Sequence, residues 1–164
     1  MLFRSSNSYS LYDNGVGTFQ STDFGTYSSS NTFQITAFDV KTWKSGGDVT
    51  GCEYFYRVYK QGSTAPSFTS MGGGYLSELG GDNQKWGATG LSIDLLSGVN
   101  SAGTWVIEVY GQVTGTTPST TLYDNNGGIN FTATFSADSS LPVELSAFSA
   151  HSSSKGVKLT WTTD

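Results

Sequence analysis

The side chains best suited to chemistry in this chain are aromatic rings that lie beside amides and carboxylates. Sugars present apolar C–H faces and rims of hydroxyls, so a rigid Trp or Tyr ring next to Asn, Gln or Asp is the minimum needed to bind them. Such groups occur in the segments KTWKSGG, GGDNQKWG and LYDNNGG. The candidate ligand-binding residues are Trp86, Tyr123, Trp43, Asn83, Asp124, Asn125 and Asn126.

The tryptophans differ in their predicted surroundings. Trp86 lies in a Gly-rich stretch, Gln61 to Gly90, that predicts a long loop, where core packing does not call for an indole. Trp105 lies in the middle of a predicted strand and is expected in the core. For Trp43, core packing and ligand contact both stay open, because a tryptophan at a strand end is often buried.

The segment LYDNNGGINFTATF, residues 122–135, predicts a β-hairpin. Asn126-Gly127 favours the positive φ values that a type I′ turn requires, and alternating apolar residues follow it. A near-echo, LYDNGVGTF at residues 11–19, predicts a turn at Asn14-Gly15. We interpret DNNGG first as a turn, with a ligand role as the alternative. In DNGVG nothing beyond the turn motif indicates a site.

The sequence offers few side chains that could act together in catalysis. His151, the single histidine, lies in the predicted polar turn HSSSKG outside the main domain, so a Ser-His-Asp or Cys-His site lacks its base. Cys52 is expected to be a small, half-buried residue. An acid–base pair of Glu53 and Glu108 for glycoside hydrolysis has little support, since both lie on predicted strands opposite aromatics. The sequence therefore predicts a protein that is not an enzyme.

Metal and cofactor sites are likewise not predicted. One His and one Cys cannot supply a zinc site. Structural calcium is compatible with the Asp and Asn oxygens of the turns, but the spacing of an EF-hand is missing and turn chemistry alone explains these residues. No cofactor is expected.

The composition indicates an all-β protein with few charges. Of 164 residues, 36% are hydrophobic, 14% are aromatic and 21 are Gly, which fits an aromatic core with Gly-rich connections. Charged residues make up 13%, against roughly 25% in typical soluble domains, as suits an extracellular protein. The net charge of −5 disfavours nucleic acid, and no apolar run is long enough for membrane insertion.

Alternating patterns predict several strands. TFQITAFDVKTW places Phe33, Ile35 and Ala37 on one side and then slips to Phe38 and Val40, which predicts a β-bulge or a change of sheet. The predicted fold is an antiparallel β-sandwich, jelly-roll or immunoglobulin-like, over residues 1–137. Residues 138–164 are predicted to be a linker plus two strands that dock on this domain or begin a second, truncated one.

The C-terminal segment LPVELSAFSAHSSSKGVKLTWTT, Leu141 to Thr163, resembles a known pattern. The pattern LPVEL-x-x-F-x-A, a polar turn and V-x-L-x-W-x-T opens an immunoglobulin-like domain in many proteins that the type IX secretion system of Bacteroidetes exports. The resemblance implies an extracellular or cell-surface location.

The segment YDNNGGINFTATF is similar to W/Y-D-N-N-G-G-x-N-Y, found near the C-terminus of some starch-binding carbohydrate-binding modules, which are β-sandwiches. The resemblance implies a binding role for Tyr123, Asp124, Asn125 and Asn126, with Phe131 at the position of the usual Tyr.

Two functions are therefore expected. The first is non-catalytic binding of a polysaccharide by a secreted module, with aromatic stacking and amide hydrogen bonds. The alternative is a structural or adhesive surface protein that assembles with copies of itself through edge strands, by strand addition.

Overall fold

The protein is all-β, as predicted. The computed structural model describes residues 2–5, 19–28, 30–43, 48–116, 121–138, 145–153 and 156–163. The predicted Asn14-Gly15 turn and most of the predicted linker lie outside these residues. None of the helices in the described ranges has the length and apolar character needed to cross a membrane. The strands are β1 (Leu2–Ser5), β2 (Asp23–Tyr27), β3 (Phe33–Trp43), β4 (Val49–Lys60), β5 (Thr69–Gly80), β6 (Asn83–Asp94), β7 (Gly103–Gly115), β8 (Thr121–Asp124), β9 (Phe131–Ala137), β10 (Leu145–Ser153) and β11 (Gly156–Thr163).

Nine of the strands form one continuous sheet in the order β1-β3-β6-β5-β4-β7-β9-β2, with β8 also paired to β7. The pairing of β2 with β9 is parallel, whereas the other pairs in this sheet are antiparallel. The sheet is therefore mixed, not purely antiparallel. Because hydrogen bonding is continuous from β1 to β2, the predicted division into two sheets of a sandwich is not confirmed.

The sheet curls so that its two ends cover one another. Phe33, near one end of the strand order, stacks on Tyr27 at the other end, with ring centroids 4.4 Å apart and planes 8° apart. Phe33 also meets Phe135 edge-on at 5.4 Å and Phe24 at 5.3 Å. A sheet without covering helices can bury its apolar face by closing on itself in this way. The buried core comprises Phe24, Tyr27, Phe33, Ile35, Phe38, Cys52, Tyr54, Met71, Leu95, Trp105, Ile107, Val109, Ala133, Phe135 and Ala137.

The predicted change of phase in β3 is confirmed. Phe33 and Ile35 are buried, and after an irregularity in the pairing with β6, between Ile35 and Ala37, the buried positions become Phe38 and Thr42. Gly90, which lies in the bulged part of β6, has a φ of +71°. A bulge inserts residues on one strand and so exchanges the faces to which the following side chains point.

The predicted loop from Gln61 to Gly90 is mostly a β-hairpin, which corrects the interpretation from sequence. Strands β5 and β6 pair, joined by a turn at Gly81-Asp82 in which φ is +58° and +62°. Gly73 is the last described β5 partner of β4, and Gly74 is the first partner of β6. Three consecutive glycines of this stretch, Gly72-Gly73-Gly74, therefore lie where β5 changes its neighbour.

The last two strands, β10 and β11, form a two-stranded antiparallel sheet, as predicted from their alternation. His151 lies within β10, opposite Lys158, so its predicted place in a polar turn is wrong. The division of the chain into a domain at 1–137 and an appended segment at 138–164 stays a prediction.

Close approach of β3 to β6 gives a test of the fold. A Cβ at Gly87 would overlap the carbonyl oxygen of Phe38, whereas a Cβ at Gly72 would meet nothing within 4 Å. We expect Gly87→Ala to lower the free energy of unfolding by about 3 kcal/mol, because backbone cannot yield as a side chain can. Gly72→Ala should stay within about 0.5 kcal/mol of the parent.

Urea unfolding followed by tryptophan fluorescence measures both free energies. Equal unfolding midpoints for Gly87→Ala and Gly72→Ala would contradict the described contact between β3 and β6.

Candidate functional site

An open groove of about 400 Å³ lies where the end of β3 meets β7 and β8. Its two aromatic residues are Trp43, which is 65% exposed, and Tyr123, which is 58% exposed. Both were predicted as ligand-binding residues, and Asp124 lines the same groove. The complete lining comprises Val40, Lys41, Thr42, Trp43, Val49, Gly111, Gln112, Val113, Leu122, Tyr123 and Asp124.

Trp43 is exposed because of the bulge in β3. Phe33 and Trp43 are ten residues apart, so uninterrupted alternation would place both side chains on the core face. The slip between Ile35 and Ala37 turns Thr42 inward instead, and Trp43 therefore faces solvent. The exposure of Trp43 excludes core packing, one of the two alternatives that the sequence left open, and ligand contact stays a prediction.

Tyr123 lies on the outer face of the sheet. Its β7 partner is Gln112, and its ring centroid is 6.4 Å from that of Tyr110. Tyr110 in turn stacks on Phe55 of β4, with ring centroids 4.6 Å apart and planes 6° apart. Phe68 meets the edge of Tyr110 at 4.9 Å. Tyr123 is thus the exposed end of an aromatic row whose inner members are packed against one another.

The predicted hairpin around DNNGG is wrong, although the predicted turn geometry is present. Strand β8 pairs with Gly111–Thr114 of β7 and β9 pairs with Gly103–Val109, so the two strands follow one another along β7 and do not pair with each other. Residues 125–130 form an excursion between them. Asn126 and Gly127 do have positive φ, +50° and +70°. A local Asn-Gly signal cannot distinguish a hairpin from such an excursion.

The amides of this excursion hold its own backbone. Asn125 Oδ1 accepts a hydrogen bond from the Gly128 N–H at 3.1 Å, within a single 3₁₀ turn, Asn126–Gly128. Asn126 Nδ2 donates to the Asn130 carbonyl at 3.1 Å. Neither Asn125 nor Asn126 lines the groove, and their contacts are those of the turn interpretation.

Trp86 and Asn83 are placed differently from expectation. Trp86 lies on β6, not in a loop, and it is half-buried against the core. Its Nε1 donates to Gln84 Oε1 at 3.2 Å, and Tyr75 meets its ring edge-on at 5.8 Å. Asn83 is the β6 partner of Trp43, and its Nδ2 donates to the Gly80 and Gly81 carbonyls, both at 3.0 Å.

Glu108 is the centre of a buried polar network that sequence reasoning missed. It accepts hydrogen bonds from Arg57 Nε at 2.9 Å, from the Tyr59 hydroxyl at 3.0 Å and from Asn130 Nδ2 at 2.7 Å. The Arg57 guanidinium also lies 4.1 Å from the centre of the Phe68 ring. The network ties β4, β7 and the excursion before β9 together, so it fixes the outer face beside the aromatic row.

The network keeps Glu108 ionised. Burial raises the pKa of the carboxyl, but the hydrogen bonds from Asn130, Arg57 and Tyr59 and the charge of Arg57 outweigh it, and the pKa is lowered from its ordinary value. The pKa of Tyr59 is raised by burial and by its hydrogen bond to Glu108. A carboxylate held in this way anchors its neighbours and is poorly suited to releasing a proton at neutral pH.

Cys52, which was expected to be half-buried, is buried in the core. Burial, with smaller effects of Glu53 and Asp39, raises the pKa of its thiol to about 11. Within the residues that the structure describes, no three His, Cys, Asp or Glu side chains are grouped to hold a metal ion. Structural calcium stays an untested expectation.

No protein-family model, curated protein or solved structure matches this chain. The resemblances to type IX secretion cargo and to starch-binding modules therefore stay predictions. The functional interpretation depends on the geometry of the groove and of the outer face.

The Glu108 network predicts a defined acid dependence. Because the folded pKa of Glu108 is lower than its ordinary value of 4.5, its stabilising effect is complete above that pH and is lost as the pH falls through the folded pKa. We expect Glu108→Gln to lower the free energy of unfolding at pH 7 by about 2–4 kcal/mol, since Arg57 then lacks its partner. The difference in the free energy of unfolding between the parent and Glu108→Gln should become smaller toward pH 3.

Urea unfolding between pH 3 and pH 7 checks this expectation. Glu78→Gln removes an exposed carboxylate and serves as the control, with a change below about 1 kcal/mol. A parent and a Glu108→Gln variant with parallel pH profiles would contradict the assigned role of Glu108.

Proposed function

We propose that this protein is an extracellular module that binds a polysaccharide without catalysis, in the groove between Trp43 and Tyr123. The observation that carries the proposal is that two exposed aromatic residues, predicted independently from sequence, line one groove. Exposed apolar surface that is grouped in a groove and rimmed by polar residues is typical of a ligand-binding or partner-binding site.

The lining suits a sugar. Apolar side chains such as Val40, Val113 and Leu122 accompany the two rings, while Gln112 and Asp124 supply amide and carboxylate oxygens. Binding pockets typically combine a mainly apolar lining with a few placed polar groups that fix the orientation of the ligand. An indole or phenol ring takes the C–H face of a sugar, and the polar groups take its hydroxyls.

Binding without bond cleavage fits the state of the nearby acids. Glycoside hydrolysis needs one carboxyl that can donate a proton and a second that acts as base or nucleophile. On the outer face, Glu108 is ion-paired with Arg57 and Glu53 accepts a hydrogen bond from Gln112. An extracellular location is supported by the low charge content and by the LPVEL resemblance.

The proposal predicts that the two exposed rings are each required. Trp43→Ala and Tyr123→Ala should weaken binding to a retained polysaccharide about tenfold or more, equivalent to about 1.4 kcal/mol, because each removes a stacking surface. Tyr75→Ala is the matched control, since Tyr75 is exposed but lies outside the groove lining. Pull-down on insoluble starch, cellulose and chitin, followed by affinity electrophoresis on the retained class, measures the change.

If Trp43→Ala and Tyr123→Ala were retained on the polymer as strongly as the parent, the groove would be excluded as the glycan-binding site. Failure of the parent to bind any of these polymers would count against glycan binding altogether.

A second candidate function, assembly with copies of the same chain, is favoured by the ribbon of β10 and β11. Its cross-strand partners place Phe148, Ala150, Val157 and Leu159 on one face. Phe148 is 60% exposed, Val157 is 67% exposed and Leu159 is 50% exposed. A two-stranded sheet is marginally stable alone, so a further apolar surface or strand would stabilise it.

Assembly is tested by size-exclusion chromatography and negative-stain microscopy over a range of protein concentrations. If the ribbon joins copies, the parent should form oligomers or fibres, and the double variant Val157→Ser, Leu159→Ser should shift the distribution toward monomer. Thr160→Ala, on the opposite face of β11, should leave the distribution unchanged. A parent that elutes as a monomer at every concentration would exclude this candidate.

A further inference from the structure

Three side chains form a ladder across the outer face beside the groove; Gln112 and Tyr123 line the groove, and Glu53 lies next to Gln112 outside the lining. Glu53 on β4 lies opposite Gln112 on β7, and Gln112 lies opposite Tyr123 on β8. Directly opposed residues on antiparallel strands share a face, and neighbouring strands are about 4.8 Å apart. Glu53 and Tyr123 are therefore roughly 10 Å apart at the backbone, with Gln112 between them.

The orientation of the Gln112 amide is fixed by Glu53. Gln112 Nε2 donates to Glu53 Oε2 at 2.7 Å, and a carboxylate can only accept, so the amide nitrogen must point toward Glu53. Among the described residues, none donates a hydrogen bond to Glu53 Oε1 or to Gln112 Oε1. The ladder consequently presents two acceptor oxygens beside an exposed phenol ring.

The phenol hydroxyls complete this polar strip. The pKa of Tyr110 is raised by burial, and secondarily by Tyr123 and Glu53, so Tyr110 lies near both. The hydroxyls of Tyr110 and Tyr123 are each able to donate or accept a hydrogen bond. Beside Tyr123, the oxygens of Glu53 and Gln112 can only accept hydrogen bonds, so a ligand there would meet mainly acceptors.

The charge at this end of the groove is negative. Glu53 belongs to the ladder, and Asp124, which follows Tyr123 on β8 and therefore points to the other face of the sheet, lines the groove. The nearest cation on the same face of β4, Arg57, is bonded to Glu108 and to the Pro66 carbonyl. Lys41 lines the groove from β3, on the side of Trp43. A carboxylate group on a ligand would therefore be repelled where it approached Tyr123.

From these observations we infer that Glu53 and Gln112 determine the ligand class of the groove. Together they accept hydrogen bonds from the hydroxyls of an uncharged glycan whose ring stacks on Tyr123, and the charge of Glu53 rejects polyuronates. This inference rests on the proposed glycan binding and adds the substrate class. Gln112 supplies an uncharged hydrogen-bond acceptor. Glu53 supplies an acceptor and also the negative charge that discriminates against acidic polymers.

Affinity electrophoresis in native gels tests the inference, with soluble starch, mixed-linkage β-glucan and xyloglucan as uncharged polymers and polygalacturonate as the acidic one. The parent should be retarded by at least one uncharged polymer and not by polygalacturonate. Glu53→Gln keeps the shape of the side chain and its ability to accept from Gln112. This substitution should weaken binding of the uncharged polymer about fivefold. It should also lower the ratio between the affinities for the uncharged polymer and for polygalacturonate at least fivefold.

Two further variants sharpen the test. Gln112→Leu removes the amide but keeps the carboxylate, so it should lose affinity for the uncharged polymer and still reject polygalacturonate. Glu78→Gln is the matched control, because Glu78 Oε1 accepts from Gln84 Nε2 at 2.7 Å in a similar Glu–Gln pair, and Gln84, unlike Gln112, does not line the groove. It changes the net charge equally and should bind as the parent does.

The outcomes separate this inference from the proposed function. If no polymer retards the parent, glycan binding fails and this inference fails with it. If an uncharged polymer binds in a manner that depends on Trp43 and Tyr123, yet Glu53→Gln behaves as Glu78→Gln does, only the assignment of Glu53 is overturned. Equal retardation of the parent by polygalacturonate would overturn the same assignment. Near-UV circular dichroism confirms that each variant is folded.

Discussion

The packing of Phe33 against Tyr27 and Phe135 is the contact on which the described sheet depends. Each strand offers an apolar face, and no helix in the described residues is available to cover it, so one end of the sheet must cover the other. Stacked and edge-on aromatic pairs contribute about 0.5–1.5 kcal/mol each beyond the area they bury. The curl joins strands that are far apart in the strand order, and it leaves the groove where β3 meets β7 and β8.

Strand β3 couples this core to the groove. Its first residue, Phe33, is in the core and its last, Trp43, faces solvent, although their spacing alone would put both on one side. The bulge opposite β6 resolves the conflict by changing the phase midway. The exposed indole is thus a consequence of the same irregularity that lets β3 bury Phe38. Its position is set by a strand, which holds a binding ring more rigidly than a loop would.

Sequence patterns predicted local features such as strand alternation. They missed the features that depend on which distant strands pair and in which register. The alternation and phase slip of β3 were correct because they depend only on neighbours along the chain. The triplet Gly72-Gly73-Gly74 concealed β5, since glycine is read as a breaker even where a strand changes partner. Asn126-Gly127 correctly predicted a turn with positive φ values, but it did not predict that β8 and β9 both pair with β7. Trp43 and Tyr123 line the same groove because of pairings between distant segments, for which the sequence carries no signal.

The outer face also shows how a protein with few charges uses those it has. Glu108 and Glu53 lie on adjacent strands of one face, yet Glu108 is enclosed by Arg57, Tyr59 and Asn130, while Glu53 meets a single amide. A carboxylate whose acceptors are all engaged adds rigidity, because nothing remains for a ligand to exchange. One with an open oxygen beside an exposed ring can exchange water for a hydroxyl at little cost. The difference in partners distinguishes Glu108, which holds the face together, from Glu53, which we propose recognises a ligand.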